Sequence, residues 1–160
     1  MILRKQQTGF TLIELVVVIT ILGLLAGIAL PKFAALQADA RLAKMNAAMG
    51  SVKSAAAMAH ATLITRGFDA SFTGTPVPNI VMEGTSVVYV NGYPDVASII
   101  ALSGLADYIT SGLTSPRIAA PDTAHTGATA ATDCTIAYSP PTVANTQPTY
   151  VVNATIDKCT

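Results

Sequence analysis

The sequence predicts an α+β protein, with one long N-terminal helix followed by a small antiparallel β-sheet head. Three observations carry this prediction. Twenty-one residues from Phe10 to Leu30 contain one charge, Glu14, and two threonines, Thr11 and Thr20. Alanine, the best helix former, is dense from Ala34 to Ala61. Beyond that, short β-branched runs alternate with Gly, Pro and Asn, the pattern of short strands and turns. The 160 residues suit one domain plus a spanning segment. Only 11% are charged and 51% are hydrophobic.

The N-terminal run, as a helix, is about 31 Å long, enough to cross a bilayer core. The stretch before it, Met1 to Gly9, carries Arg4 and Lys5. By the positive-inside rule it stays cytoplasmic and the remainder is exported. The apolar run is too long for the core of an ordinary secretory signal, and no A-x-A cleavage site follows it. A carboxylate inside such a run costs roughly 2.5–3.5 kcal/mol at mid-bilayer and less near the interface. Glu14 therefore has three readings. Thr11-x-x-Glu14 fits a capping box; Glu14 is an incidental polar residue near the headgroups; or it pairs with a positive charge on another subunit. Gly23 and Gly27 have the G-x-x-x-G spacing that lets helices approach closely, although glycine is also simply common in membrane helices. Pro31 cannot donate to the Gly27 carbonyl and crowds it, which predicts a kink or a helix that opens easily.

Past Pro31 the helical pattern continues through Phe33, Leu36, Ala40, Ala43 and Ala47, with Lys32, Asp39, Arg41 and Lys44 on the polar side. One continuous helix is expected from about Thr11 to about Thr65, stopping at Gly67, with Gly50-Ser51 as a mild weak point. Its length is on the order of 80 Å. Gly67 to Val77 reads as a loop tucked down by Phe68 and Phe72. Ile80–Met82 is a short strand. Ser86–Val90 is a better one, with Asn91-Gly92 as the turn behind it. Asp95 caps a short helix through Ile99, Ile100 and Leu102, broken at Gly104, and Leu105 to Ile109 forms a turn. Ala119 to Asp133 is a long polar surface loop. Thr135–Tyr138 and Thr149–Ile156 are strands, the latter with Tyr150, Val152, Ala154 and Ile156 on one face. Cys134 and Cys159 allow one pairing, in an exported region that permits disulfides. They sit at adjacent ends of that hairpin, so the pairing and the strand reading support each other.

The formal net charge of zero hides an asymmetry. Residues 32–66 hold five basic residues against Asp39, a net of +4, and residues 67–160 hold two against seven acids, a net of −5. An acidic head argues against nucleic-acid binding. A basic helix and an acidic head suit contacts between copies, or a match within one chain.

Gly9-Phe10-Thr11-Leu12-Ile13-Glu14 resembles the class III signal of type IV pilins and pseudopilins. The resemblance runs on through Leu15–Gly23 and Ala29–Phe33. It implies that a prepilin peptidase cuts between Gly9 and Phe10 on the cytoplasmic side and methylates Phe10. It implies that Glu14 pairs with the Phe10 amine of a neighbouring subunit, and that Gly23, Gly27 and Pro31 mark an extensible hinge in the filament. The head resembles one type IVa-like subgroup, the mannose-sensitive haemagglutinin type of pilin. The features are Pro31-Lys32-Phe33, Asp39-Ala40-Arg41, Val88 to Pro94 and the late cysteine pair. The implied organisation is a cleaved leader 1–9, a membrane and assembly segment 10–30, an amphipathic spine 31–66 and a β head 67–160. The expected function is a structural pilus subunit for adhesion, biofilm or motility. Its expected partners are further copies of itself, the prepilin peptidase, and the inner-membrane assembly machinery. It would sit in a bacterial inner membrane before assembly and in an extracellular pilus afterwards. The alternatives are a pseudopilin of a type II secretion system and a minor tip or priming pilin; the C-terminal cysteine loop favours a pilin.

No catalytic constellation emerges. H-E-x-x-H, G-x-S-x-G and P-loop motifs are missing from the sequence. His60 and His125 read as satisfied or exposed, and Asp69, Asp95, Asp107 and Asp122 lack calcium-loop spacing. Neither an enzyme, a cofactor nor a metal is expected.

Overall fold

A computed structural model describes residues 10–105, 107–110, 117–119 and 134–159. The leader with Gly9 lies outside the described residues, as does the loop expected from Ala119 to Asp133 except Ala119, which ends a strand instead. The architecture is the expected α+β one: a long helix, small antiparallel sheets and a Cys134–Cys159 disulfide. Contacts divide the chain into two compact units, Met1–Leu36 and Gln37–Thr160.

The helix α1, Leu12–Thr65, contributes to both units. In the first unit, no described residue from Phe10 to Leu36 is buried, and all but Ala29 are exposed. An 18-residue window there has a mean hydropathy of 2.7, so the helix is long and apolar enough to cross a membrane. The hydroxyl in the middle of the run is satisfied locally. Thr20 donates its hydroxyl to the Val17 carbonyl at 2.8 Å. The helix runs on through Pro31.

In the second unit α1 ends at Gly67 (φ 84), as expected. The Phe68 N–H donates to the Leu63 carbonyl and the Gly67 N–H to the Ile64 carbonyl, a Schellman arrangement that satisfies the last free carbonyls. The buried stripe is Ala38, Met45, Ala48, Met49, Val52, Ala56, Ala59 and Leu63. This corrects the apolar face taken from the sequence. Leu36, Ala40, Ala43 and Ala47 are exposed. Both stripes repeat at three and four residues, and alanine occupies both. The face against the head is the one that intersperses Met, Val and Leu among small residues and so fills space.

Two core clusters line this stripe. The upper one joins Ala59 and Leu63 to Ile80, Val87 and Tyr89, with Phe68 and Phe72 half-buried beside it as an edge-to-face pair. The expected strand over Ser86–Val90 is divided. Strand β1 (Val81–Met82) pairs with β2 (Thr85–Ser86), and β3 (Tyr89–Val90) pairs with β4 (Tyr93–Pro94), both antiparallel. The division follows the hydrogen bonds: Val87 donates to the Ile80 carbonyl, Val88 N–H to the Ser98 hydroxyl, and Tyr89 exchanges both bonds with Gly74. Three successive residues thus face three partners. Asn91 (φ 48) and Gly92 (φ 86) form the β3–β4 turn with both central residues left-handed. Gly92 is required for space as well, because a Cβ there would lie 1.8 Å from the Ala70 carbonyl oxygen. Helix α2, Val96–Leu102, is capped by Asp95, whose carboxylate accepts the Ser98 N–H at 2.8 Å.

The lower cluster packs Met45, Met49 and Val52 against Ile99, Ile118, Ile136, Tyr138 and both cysteines. A three-stranded antiparallel sheet covers it, in the order β5 (Arg117–Ala119), β6 (Thr135–Ser139), β7 (Thr149–Val152). Strand β5 carries no alternating pattern of its own and was not expected. The last strand is shorter than expected. It stops at Val152, Ala154 is buried, and Ile156 is exposed. Beyond it, the Lys158 and Cys159 N–H groups donate to the Thr155 carbonyl, and this turn brings Cys159 back to Cys134.

Buried tyrosines anchor the sheet. The Tyr138 hydroxyl donates to the Pro94 carbonyl at 2.7 Å and the Tyr89 hydroxyl to the Ala59 carbonyl at 3.1 Å. Burial pushes the Tyr138 hydroxyl far above its ordinary value of 10.0, with Tyr150, Asp95 and Tyr93 adding to the shift. Burial likewise raises Tyr89 and Tyr150. The folded chain holds these protons more tightly than the unfolded one. Their contribution to stability is full below pH 10.0 and falls as the pH rises above it, because the unfolded state ionises first. In an alkaline titration, Tyr138 tyrosinate absorbance is expected to appear together with loss of near-ultraviolet circular dichroism. Complete tyrosine ionisation near pH 10 with the fold retained would contradict this placement.

Candidate assembly site

The N-terminal end of α1 brings Phe10 and Glu14 together, the two described residues of the expected processing and assembly site. Phe10 precedes the helix and is 84% exposed. Glu14 lies in the first turn and closes a complete capping box. The Thr11 N–H donates to Glu14 Oε2 at 2.9 Å, the Thr11 hydroxyl donates to the same oxygen at 2.7 Å, and the Glu14 N–H donates to Thr11 Oγ1 at 3.3 Å. The first of the three readings of Glu14 is therefore realised in the single chain. Both side-chain bonds fall on Oε2; Oε1 accepts none among the described residues. The carboxylate thus keeps an oxygen for a cation, and the capping box does not exclude an intermolecular pair. Phe10, Ile13, Glu14, Val17 and Val18 line an open groove of about 310 Å³, apolar except for the carboxylate. Such a groove suits another apolar helix end that carries one positive charge.

The other residues singled out lie elsewhere. Gly23 and Gly27 face open space, with no atom within 4 Å of where a Cβ would stand. Pro31 lies within the helix, and its missing N–H leaves the Gly27 carbonyl without its usual donor. Cys134 and Cys159 are both fully buried, with Cα atoms 4.8 Å apart. His60 is satisfied: its Nδ1–H donates to the Gly92 carbonyl at 2.7 Å, and its ring stacks on Tyr93. His125 lies outside the described residues. Among the described residues, no group of three or more His, Cys, Asp or Glu is gathered as a metal would need.

Arg41 has a role that the sequence reading missed. Its guanidinium donates to the Cys159 carbonyl at 2.9 Å and so fastens the disulfide end to the helix. The only signal was its spacing, three residues after buried Ala38 and four before buried Met45.

Comparison with known proteins bears on this end of the chain. Residues 4–30 match the family described as the prokaryotic N-terminal methylation motif. The type IV narrow pilus major component PilA5 of Thermus thermophilus is 49% identical over 54 residues, covering 34% of this chain and 47% of that protein. The type II secretion system core protein G of Pseudomonas aeruginosa is 44% identical over 54 residues, covering 34% of this chain and 36% of that protein. The matched stretch is less than half the length of either relative. No solved structure matches the chain. These likenesses of the N-terminal segment support a type IV pilin or pseudopilin family. Neither relative is named as an enzyme.

The disulfide closes a separation of 25 residues and holds the sheet beneath Arg41. Replacing both cysteines, Cys134→Ser with Cys159→Ser, is expected to cost roughly 3 kcal/mol by the chain-entropy estimate. Thermal unfolding of the full chain in detergent measures it. A melting temperature equal to that of the parent would refute the stabilising role.

Proposed function

We propose that the chain is the structural subunit of a type IV pilus. The prepilin peptidase removes residues 1–9 and methylates Phe10. The apolar helix then anchors the monomer in the inner membrane until assembly machinery moves it into a filament outside the cell, for adhesion, biofilm or motility. The observation that carries this reading is the bare helix: none of the side chains from Phe10 to Leu36 is buried by its own chain. Lipid covers such a surface in the monomer, and neighbouring helices cover it in the polymer. Glu14 then meets the Phe10 ammonium of the adjacent subunit, a pair that offsets the desolvation of both charges. Acidic heads face outward.

A second reading, a pseudopilin of a type II secretion system, draws support from the 44% identity to core protein G. The buried C-terminal disulfide favours the pilus, since it resembles the pilin loop. Electron microscopy of a sheared cell fraction, with N-terminal sequencing of its main subunit, separates the two. Long filaments whose subunit begins with methylated Phe10 are expected. Subunits found only in the cell envelope would favour the pseudopilin.

Glu14→Ala and Glu14→Gln are expected to abolish or strongly reduce filaments while the subunit still inserts in the membrane. Filaments at parental levels from Glu14→Ala would sink the pairing role. In the assembled filament, the helix is expected to lose regular hydrogen bonding between Gly27 and Pro31, where the free carbonyl and the glycine weaken it. A filament map with unbroken helical density through these residues would remove the hinge.

A further inference from the structure

We infer that the groove beside Glu83 receives Lys44 of a second copy of the chain. The inference rests on the filament reading above and specifies a head surface that such a filament uses. The groove holds about 470 Å³, between Ser51, Ala55 and Met58 of α1, Met82 and Glu83 of the first hairpin, and Leu102 at the end of α2. Its one charged lining residue is an acid. Glu83 is exposed at the tip of the β1–β2 hairpin and has no ionic partner among the described residues. The end of α2 borders the same space, where Ser51 donates its hydroxyl to the Ser103 carbonyl. Part of its wall is apolar and adaptable: Met58 is 57% exposed, and an unbranched thioether repacks easily around an incoming side chain. A carboxylate above an apolar trough fits a lysine, whose four-carbon stem lies on apolar surface while the ammonium reaches a charge.

The chain itself supplies that lysine. The charge asymmetry, +4 over residues 32–66 and −5 over residues 67–160, makes one copy's helix complementary to another's head. Two of the basic residues on the helical part of the second unit are already engaged. Arg41 holds the Cys159 carbonyl, and the Lys53 ammonium lies 5.4 Å from the Tyr150 ring centroid. Lys44 is exposed and has no ionic partner among the described residues. Around it Ala40, Ala43 and Ala47 are also exposed, and their small side chains let another surface come close. Ser51 and Met58 follow Lys44 by seven and fourteen residues, so the groove stands roughly 10–20 Å from the lysine along the helix axis. A lysine at one height that enters a groove at another height of the next copy makes a heterologous contact.

Charge reversal in the full chain, expressed in its own cells, tests the contact. Glu83→Lys and Lys44→Glu each set like charges against one another, and each is expected to cut sheared filaments about ten-fold. The two together restore an opposite pair and are expected to recover most of the loss. The membrane pool, with Cys134 and Cys159 oxidised, reports that each variant still folds. Carbodiimide treatment of parental filaments is expected to join Lys44 to Glu83 between copies, read by mass spectrometry of the cross-linked peptides. Single reversals that leave filaments at parental levels, or a double reversal no better than either single, overturn the contact while the filament reading stands. Parental cells that make no filaments overturn both.

Discussion

A helix that its own chain cannot cover governs the rest of this molecule. Twenty-one consecutive residues with a single charge expose large apolar side chains on every side. Water is the wrong solvent for that surface, at roughly 25 cal/mol for each Å² left exposed. The helix therefore suits an apolar environment better than water. The charge that remains inside it is held by Thr11, through two hydrogen bonds that satisfy one oxygen and leave the other open. A carboxylate placed this way keeps one oxygen free to accept from a cation.

The head answers a different problem: how to fasten a small sheet to a helix built largely of alanine. Alanine brings the backbones close but fills little volume. Met45, Met49, Val52 and Leu63 supply bulk on one face, and Tyr89 and Tyr138 reach from the head to buried carbonyls. The far end of the chain is fixed twice, by the disulfide and by the bond from Arg41 to the Cys159 carbonyl. Strand β7 has only four residues, and these two ties hold its far side where backbone pairing has already stopped.

The opposite face of α1 is left bare, with Ala40, Ala43 and Ala47 around Lys44. Here the cations that are not used internally remain on the helix, and the acids accumulate on the head. One chain then carries cations and acids at different heights along its axis.

Much of this was legible in the sequence because it depends on local rules. The helix and its end at Gly67 follow from propensity and capping, the Asp95 cap and the Asn91-Gly92 turn from side-chain and backbone geometry, and the membrane-length run from composition. The cysteine pairing followed because two cysteines admit one partner each. Contacts between distant segments decided the remainder. Alanine on both sides of α1 gave periodicity no means to choose the buried face, and packing against Ile99, Ile136 and Tyr138 chose it. The run Ser86–Val90 is uniformly strand-like, yet it is divided because its neighbours in space change at each residue. Strand β5 exists only by pairing with β6, and Arg41 found the Cys159 carbonyl across 118 residues of chain. Sequence alone determined the elements and the exposed apolar helix, since both are written in neighbouring residues. Tertiary structure alone decided which faces meet, since that depends on volumes and hydrogen bonds that neighbouring residues do not encode.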